Sequence, residues 1–529
     1  MEENGSRLVW RHRTALLLIA LLAVVAPGAP ALGQTESRYL EEAREHVSQK
    51  QFDQAIPLLQ TELKQNPDND DARELLARVY SWQHHFDESI AEYEHLLQKT
   101  PENTALRADY ARVLAWSGRH EASIREYRRV LKADPTNTET RLGYTRALAW
   151  SGDLAGASME YERILAQDPK MGDAWLGRAS VARWRGAPTA SDRFLTSAVA
   201  TGADSEGVDD ERGSVWTAIS PGLGGGWYAS KERQYVSGPD FTIDTEGPYI
   251  TGKLTASRAV GLTGRVDWLK LTETPTSGGV PNYDLNSVDT RVGATFLRGY
   301  PWQASVGAEY QTFETRGDTA LYPLIGDDTF FGWNARLWRF TGRMTPSFGF
   351  SRNYLAMKDT LSSGLLVFDP GHVDDYEGAL GYQWNSRFTS DLLASRGVYS
   401  DDNRRFTAAG GAAYKARTGL PTITFDGRLT FQDWDFASPN YFTPLNSVRG
   451  AAGVTFAGYT ERPSLDYSFR YEFSGTGSSN FDDIWVHAWS GNFNVVLDDR
   501  FPVGVEAAYS IDNNNYEAWY VAFSGSVRW

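Results

Sequence analysis

The 529-residue chain contains no cysteine. That excludes disulfide staples, cysteine metal sites and thiol catalysis, and it suits an oxidising compartment. An excess of basic charge is also missing. Lys and Arg number 52 against 67 Asp and Glu, for a formal net charge of -15. Nucleic acid is therefore not an expected partner, and an anionic lipid surface is not the main one. Beyond the N-terminus no apolar run approaches the length of a spanning helix. By the helical criterion alone, the mature chain reads as soluble. Histidine is sparse: only His372 and His487 lie in the second half of the fold. Aromatics are plentiful, with 18 Trp and 26 Tyr. Such amphipathic rings concentrate where one end is apolar and the other wet, as at membrane interfaces.

The N-terminus has the layout of a secretory signal peptide over residues 1–33. Arg11, His12 and Arg13 are basic, Ala15 to Ala26 are apolar, and Ala29-Pro30-Ala31 or Ala31-Leu32-Gly33 offers a cleavage site. An uncleaved anchor is the alternative.

A period of 34 follows. Pro67, Pro101, Pro135 and Pro169 keep it, as do Trp82, Trp116, Trp150 and Trp184, and Tyr93, Tyr127 and Tyr161. Small residues such as Ala77, Ala111 and Ala179 would let paired helices approach, and each Trp-Ser-Gly would end a first helix. This is the tetratricopeptide period, in which stacking supplies a core that one hairpin lacks. About four repeats are expected from Tyr39, with a degenerate fifth to about Ala200, giving a periplasmic array over 34–202. The repeating Trp and Tyr residues are read as core positions in preference to ligand-stacking ones. The polar stretch 203–213 reads as a linker.

From residue 214 the period becomes two. In SLDYSFRYEF, Leu465, Tyr467, Phe469, Tyr471 and Phe473 oppose Asp466, Ser468, Arg470 and Glu472. TITFDGRLTFQDW, RVGATF, ASVGAEY and VGVEAAYSI repeat the scheme. Strands this long, aromatic on one face and mixed polar on the other, predict a transmembrane antiparallel β-barrel over 214–529. Short links near Val260, Gly299, Gly342, Arg387, Gly419, Thr460 and Asp499 alternate with outer ones. The outer ones are 231–246, 275–285, 316–328, 357–373, 435–445 and 475–483, with brief ones near Asp402 and Asn514. Seven short and eight outer links imply about 16 strands, with both barrel ends on the periplasmic side. Parity makes Arg291, Glu309, Asp426, Arg428, Asp466, Arg470, Glu472 and Glu506 candidates for the lumen. In the closing strand it turns Trp519, Val521, Phe523, Val527 and Trp529 to lipid, with Gly525 in step. That strand must pair with the first, expected near Val215–Ser230, because an open edge in lipid leaves backbone groups unsatisfied.

No enzyme is expected. A hydrolytic triad needs Ser, His and an acid at one wall; His372 falls in an apparent outer loop, and His487 has no serine motif beside it. GLGGGW (Gly222–Trp227) lacks the Lys and helix of a phosphate loop and fits thin wall positions better. No cofactor or metal is expected; the acids Asp327, Asp328, Asp374 and Asp375, read as outer-loop residues, match no calcium-loop spacing.

Taken together, the signal peptide, the LAWSGR-type repeats and the barrel resemble bacterial outer-membrane tetratricopeptide-plus-barrel proteins. The nearest types are exopolysaccharide exporters, the cellulose-secretion outer-membrane subunit and the poly-N-acetylglucosamine porin. YFTPLNSVRGAAGVTF (Tyr441–Phe456) resembles a Tyr-Phe-x-Pro stretch of cellulose-exporter barrels. The aromatic final strand resembles the sorting signal read by barrel assembly machinery, with Trp in place of the usual Phe. The resemblance implies an outer-membrane export pore for an exopolysaccharide, surrounded by lipid. Its repeats would recruit a periplasmic synthase or scaffold. The cellulose exporters carry more repeats, so this shorter array would contact a partner without spanning the periplasm. Mixed lumen charge suits a neutral or zwitterionic polysaccharide. The alternative is a structural adaptor with a closed barrel, organising an envelope complex.

Overall fold

The computed structural model describes residues 37–234, 241–257, 259–275, 283–296, 302–316, 328–360, 366–417, 420–438, 443–461, 464–497, 500–514 and 516–528. The signal peptide, Trp529, Asp327 and the Tyr441–Phe442 part of the exporter-like stretch lie outside these residues. Two compact units divide within one helix, the first reaching Val113 and the second starting at Leu114.

The first unit is helical: α1 (Arg38–Ser48), α2 (Phe52–Gln65), α3 (Asp70–Trp82), α4 (Phe86–Lys99) and most of α5 (Thr104–Trp116). Leu40, Ala43, Ala55, Leu59, Ala72, Leu76 and Val79 form its core. Asn69 caps α3 by accepting the Ala72 N–H at 3.1 Å. Glu62 is buried here. Burial alone would raise its carboxyl, but hydrogen bonds from Ser37, Asn69 and Asn66 outweigh that and hold it below the usual range.

The second unit begins with α6 (His120–Ala133), α7 (Thr138–Ser151), α8 (Leu154–Gln167), α9 (Gly172–Trp184), α10 (Pro188–Ala200) and α11 (Ser205–Ile219). Gly152, at φ +88, ends α7 in the left-handed region that glycine tolerates. Asp153 then caps α8, accepting the Gly156 N–H at 2.9 Å. Tyr127 and Tyr161 are buried, as is Tyr93 in the first unit. Each ring of this second unit fits over a glycine of the next helix. A Cβ at Gly177 would meet the Tyr161 hydroxyl at 2.2 Å, and one at Gly143 would meet that of Tyr127 at 2.6 Å. Burial pushes the Tyr161 hydroxyl up to about 12.

Two expectations are corrected here. The stretch 203–213 is not a linker but most of α11. Its Val208 and Val215 fall seven apart on one helical face and join the core of Ala179, Leu195 and Ala198. Its Glu211 takes an ion pair from Arg183 at 2.8 Å and a hydroxyl from Ser180 at 2.8 Å. The barrel therefore starts at Gly222, not at 214. The second correction concerns the tryptophans. Trp82, Trp116, Trp150 and Trp184 are not core: they are 45%, 44%, 44% and 42% exposed. Each closes the first helix of its repeat (one place earlier in α7), where neighbours cover the ring only in part, Phe52 at Trp82 and His120 at Trp150 among them.

The strands are β1 (Gly222–Gln234), β2 (Phe241–Ser257), β3 (Val260–Pro275), β4 (Tyr283–Phe296), β5 (Trp302–Arg316), β6 (Asp328–Arg339), β7 (Met344–Thr360) and β8 (Leu366–Gln383). They continue with β9 (Phe388–Tyr399), β10 (Arg404–Arg417), β11 (Thr422–Trp434), β12 (Ser447–Glu461), β13 (Ser464–Gly477), β14 (Ile484–Val496), β15 (Pro502–Asp512) and β16 (Glu517–Arg528). All sixteen pair antiparallel with their neighbours, and β16 closes on β1. The seam runs from Gly222↔Arg528 to Arg233↔Glu517, so no strand edge stays open. At Gly226 the seam is tight: a Cβ there would meet the Phe523 carbonyl oxygen at 1.9 Å. The expected outer loop 357–373 is also corrected. β7 and β8 pair through it, to Thr360↔Leu366, so His372, Asp374 and Asp375 are strand residues.

Candidate functional site

A closed barrel has two faces, and along most of each strand the side chains sort between them. One face carries large exposed apolar residues all round, among them Phe331, Phe348, Leu392, Phe425, Leu429, Phe469, Phe493 and Phe523. In water such a surface would aggregate; in a membrane it is the lipid face. Phe523 and Trp519 of the closing strand are exposed on it, and Val521 and Val527 fall in register with them.

The opposite face lines a cavity walled by Tyr228, Arg265, Arg291, Arg470, Glu506 and Ser524, among others. Most expected lumen residues meet here as ion pairs. Arg291 bonds Glu309 at 3.1 Å and also pairs with Asp289. Arg470 holds Asp426 at 2.8 Å and Glu472 at 2.7 Å, and Arg449 reaches Glu472 at 3.1 Å. Arg428 pairs with Asp391. Asp466 stands opposite Asn494, which lines the cavity. The sequence reading missed several partners. Arg265 binds Asp267 at 2.6 Å, Arg352 binds Asp374 at 2.7 Å, and Arg405 binds Asp375 at 2.6 Å. Arg265, Asp267, Arg405 and Asp375 were detectable as further charges in the polar phase of their strands, whereas Arg352 and Asp374 fall in the opposite phase, in step with Phe348 and Tyr376. This wall is mixed in sign, and its charges are paired locally.

Alternation does not make the whole inner face polar. Leu285 and Phe313 share the phase of Arg291 and Glu309, yet they are buried with Phe330. Tyr354 stacks on Phe313 at 4.8 Å. Val373, Tyr399 and Trp434 form a second cluster, with Tyr399 and Trp434 at 4.8 Å. Both clusters sit toward the ends of the strands that carry the longer links. They make an apolar tier where the expectation was only polar residues.

His487 receives no catalytic partner. Its ring lies 2.8 Å from the Tyr471 hydroxyl and stacks near Trp489. Among the described residues, no group of three or more His, Asp or Glu side chains could hold a metal ion. No described helix is long and apolar enough to cross a membrane.

The opposite end of the barrel carries the short turns, and the second unit's helices are pinned to them. Arg343, in the β6–β7 turn, grips Asp153 with two bonds of 2.8 and 2.7 Å. Gln383, at the end of β8, donates to the Gly152 carbonyl at 2.7 Å. Arg387 makes an ion pair with Glu121, one bond being 2.6 Å. Arg185 donates to the Gly342 carbonyl at 3.1 Å and covers the Phe340 ring. On the other side of the ring, Thr255 of β2 donates to the last carbonyl of α11, that of Ile219, at 2.6 Å. In a circle of sixteen strands, β8 and β9 stand opposite β1. The helices from α6 to α11 are thus fixed to opposite sides of one rim.

A tetratricopeptide-repeat family model matches residues 46–112 and 117–180. Among solved structures, one similar chain is described as a bacterial polysaccharide outer membrane secretin. It is 11% identical, over 59% of this chain and 98% of that one, with a TM-score of 0.42. A tetratricopeptide repeat protein from Parabacteroides merdae is 14% identical over 36% of this chain and 74% of its own, with a TM-score of 0.34. PilW, a type IV pilus biogenesis factor, is 19% identical over 34% and 84%, with a TM-score of 0.31. No curated protein sequence matches the chain. The repeat period, the closed ring of sixteen strands and its apolar outer face define an outer-membrane β-barrel protein whose tetratricopeptide repeats lie on the periplasmic side.

Proposed function

We propose that the barrel is an export passage for an exopolysaccharide and that the repeats recruit the periplasmic synthase or scaffold that supplies it. The observation that carries this reading is the inner wall. Its Arg–carboxylate pairs, centred on Arg291 and Arg470, leave a hydrated surface with little net field. Such a wall repels no neutral or zwitterionic chain and binds none tightly, and conduction needs that balance. A strongly anionic polymer would call for a mostly basic wall. The apolar tiers around Phe313 and Trp434 would close the passage at rest. A structural adaptor with a permanently closed lumen is the second reading, and the same tiers favour it. Deleting the gene and analysing secreted glycan chemically separates the two. Export requires secretion to fall and polymer to collect in the periplasm. Unchanged secretion would favour the adaptor.

A further inference from the structure

Two junctions of different kinds join the helices from α6 onward to the barrel. One is covalent. Helix α11 runs through Ser220 and Pro221 directly into β1. Its last carbonyls are held by β2, where Thr255 donates to that of Ile219 at 2.6 Å and Lys253 to that of Ala218 at 3.3 Å. The other junction is made by side chains reaching out from the short turns. Arg343 pairs with Asp153, and Arg387 with Glu121. Between them Gln383 donates to the Gly152 carbonyl at 2.7 Å and accepts the Ala155 N–H at 3.3 Å. Both arginine side chains remain partly open to water. A polar junction of this kind is reversible and weakened by salt, unlike a large apolar interface.

The span between the junctions crosses the opening. A ring of sixteen strands, about 4.8 Å apart and tilted by about 40°, is about 30 Å across. Arg185, which follows α9, bonds the Gly342 carbonyl in the β6–β7 turn, while α11 ends beside β1 and β2. These two anchorages lie five strands apart on the ring. Two packed helices bridge them, with Arg183 of α9 holding Glu211 of α11 at 2.8 Å. At 13 and 15 residues, each is a rod of about 20 Å. A rod that joins two separated points of a ring passes over its interior.

We infer that α6–α11 form a strap across the periplasmic mouth, hinged where α11 enters β1 and latched by Arg343–Asp153 and Arg387–Glu121. Latched, the strap narrows entry to the lumen. With both pairs broken it swings on the hinge and uncovers the mouth. A periplasmic partner that binds the released helices more tightly than the latched ones would open the barrel by that difference in affinity. The device goes beyond the export reading, because it controls access whatever the cargo.

The test uses the full chain in lipid nanodiscs and exploits its lack of cysteine. Ser526→Cys sets a thiol on the inner face, in step with Ser524 and near the periplasmic end of β16. Its rate of reaction with a bulky, hydrophilic, uncharged maleimide reads access through the mouth. Adding Arg343→Glu and Arg387→Glu, which oppose Asp153 and Glu121 with like charge, should raise that rate several-fold. Combining Arg387→Glu with Glu121→Arg, with Arg343 kept, restores the pair in reverse and should return the slow rate. Raising potassium chloride should speed labelling of Ser526→Cys alone, so the claim does not depend on the Glu variant folding. Spin labels at Gln167→Cys and Leu497→Cys, in a separate sample, follow the motion. Their distance distribution should be narrow in the parent and broad in the double Glu variant. Unchanged distances and rates in that variant, with its helical circular dichroism intact, would show a rigid mount and overturn the latch. A rate indifferent to salt would overturn it as well. Broad distances with an unchanged labelling rate would show that the helices do not cover the opening and overturn the strap. Labelling needs neither glycan nor flow, so failure of the export reading leaves each of these outcomes intact.

Discussion

His120 opens α6 with its ring packed beside Trp150, 6.2 Å between centroids, and its Nδ1 buried without a hydrogen-bond partner. Burial holds its pKa below the ordinary value. In the unfolded chain it titrates at about 6.5. Below that pH the unfolded state takes a proton that the folded state resists, so stability is full above it and falls as pH drops toward the folded value. His120→Phe should remove that part of the acid sensitivity. Melting followed by helical circular dichroism between pH 7.5 and about 5 checks this; equal pH dependence in both proteins would contradict it. At the seam, Phe523 is exposed on the apolar face, while Ser524 lines the cavity. Phe523→Asp should cost about 1–4 kcal/mol according to depth, and Ser524→Asp should be tolerated. Heat-modifiable gel mobility reads both outcomes, and equal assembly would reverse the two faces. The tryptophan spacing was plain in the sequence, but its face was not. A period of 34 places Trp82, Trp116, Trp150 and Trp184 at equivalent sites without saying whether a neighbouring helix covers them.

Elements show the same division between what periodicity reveals and what pairing decides. The alternation of β11 and β13 was legible because each strand has one wet and one apolar face. Helix α11 was hidden by its composition, DSEGVDDERGS, which looks solvated. Its Glu211 is buried only because Arg183, Ser180 and Ser191 supply partners from two other helices. The extension of β7 and β8 past Met357 was similarly masked by Asp374 and Asp375, which look like loop acids until Arg352 and Arg405 meet them. The rim contacts lay beyond sequence reasoning, since Arg343 and Asp153 stand 190 residues apart. Arg343→Met should leave Asp153 buried with only its helix cap and weaken that junction by about 1–3 kcal/mol. Hydrogen exchange across 152–160 should speed up while barrel gel mobility stays unchanged. Unaltered protection would mean that the ion pair does not hold the helices to the rim.

For the molecule as a whole, the two periods, 34 and two, carried the architecture because each is imposed by one repeated physical requirement. Stacked hairpins must bury one face, and membrane strands must present one. What alternation cannot report is where the inner face turns apolar. Leu285 and Phe313 keep the lumen phase yet pack into an apolar cluster with Phe330. Phe313→Ala combined with Trp434→Ala should raise ion conductance in planar bilayers several-fold; no change would show that these clusters do not close the passage. The central claim, that glycan crosses through this lumen, has a direct test because the chain has no native cysteine. Cells carrying Ser524→Cys or Phe523→Cys are treated with a bulky, hydrophilic thiol reagent, and secreted glycan is measured. Secretion should fall on modification of Ser524→Cys and stay unchanged for Phe523→Cys. Full modification of Ser524→Cys with undiminished secretion would contradict passage through the barrel.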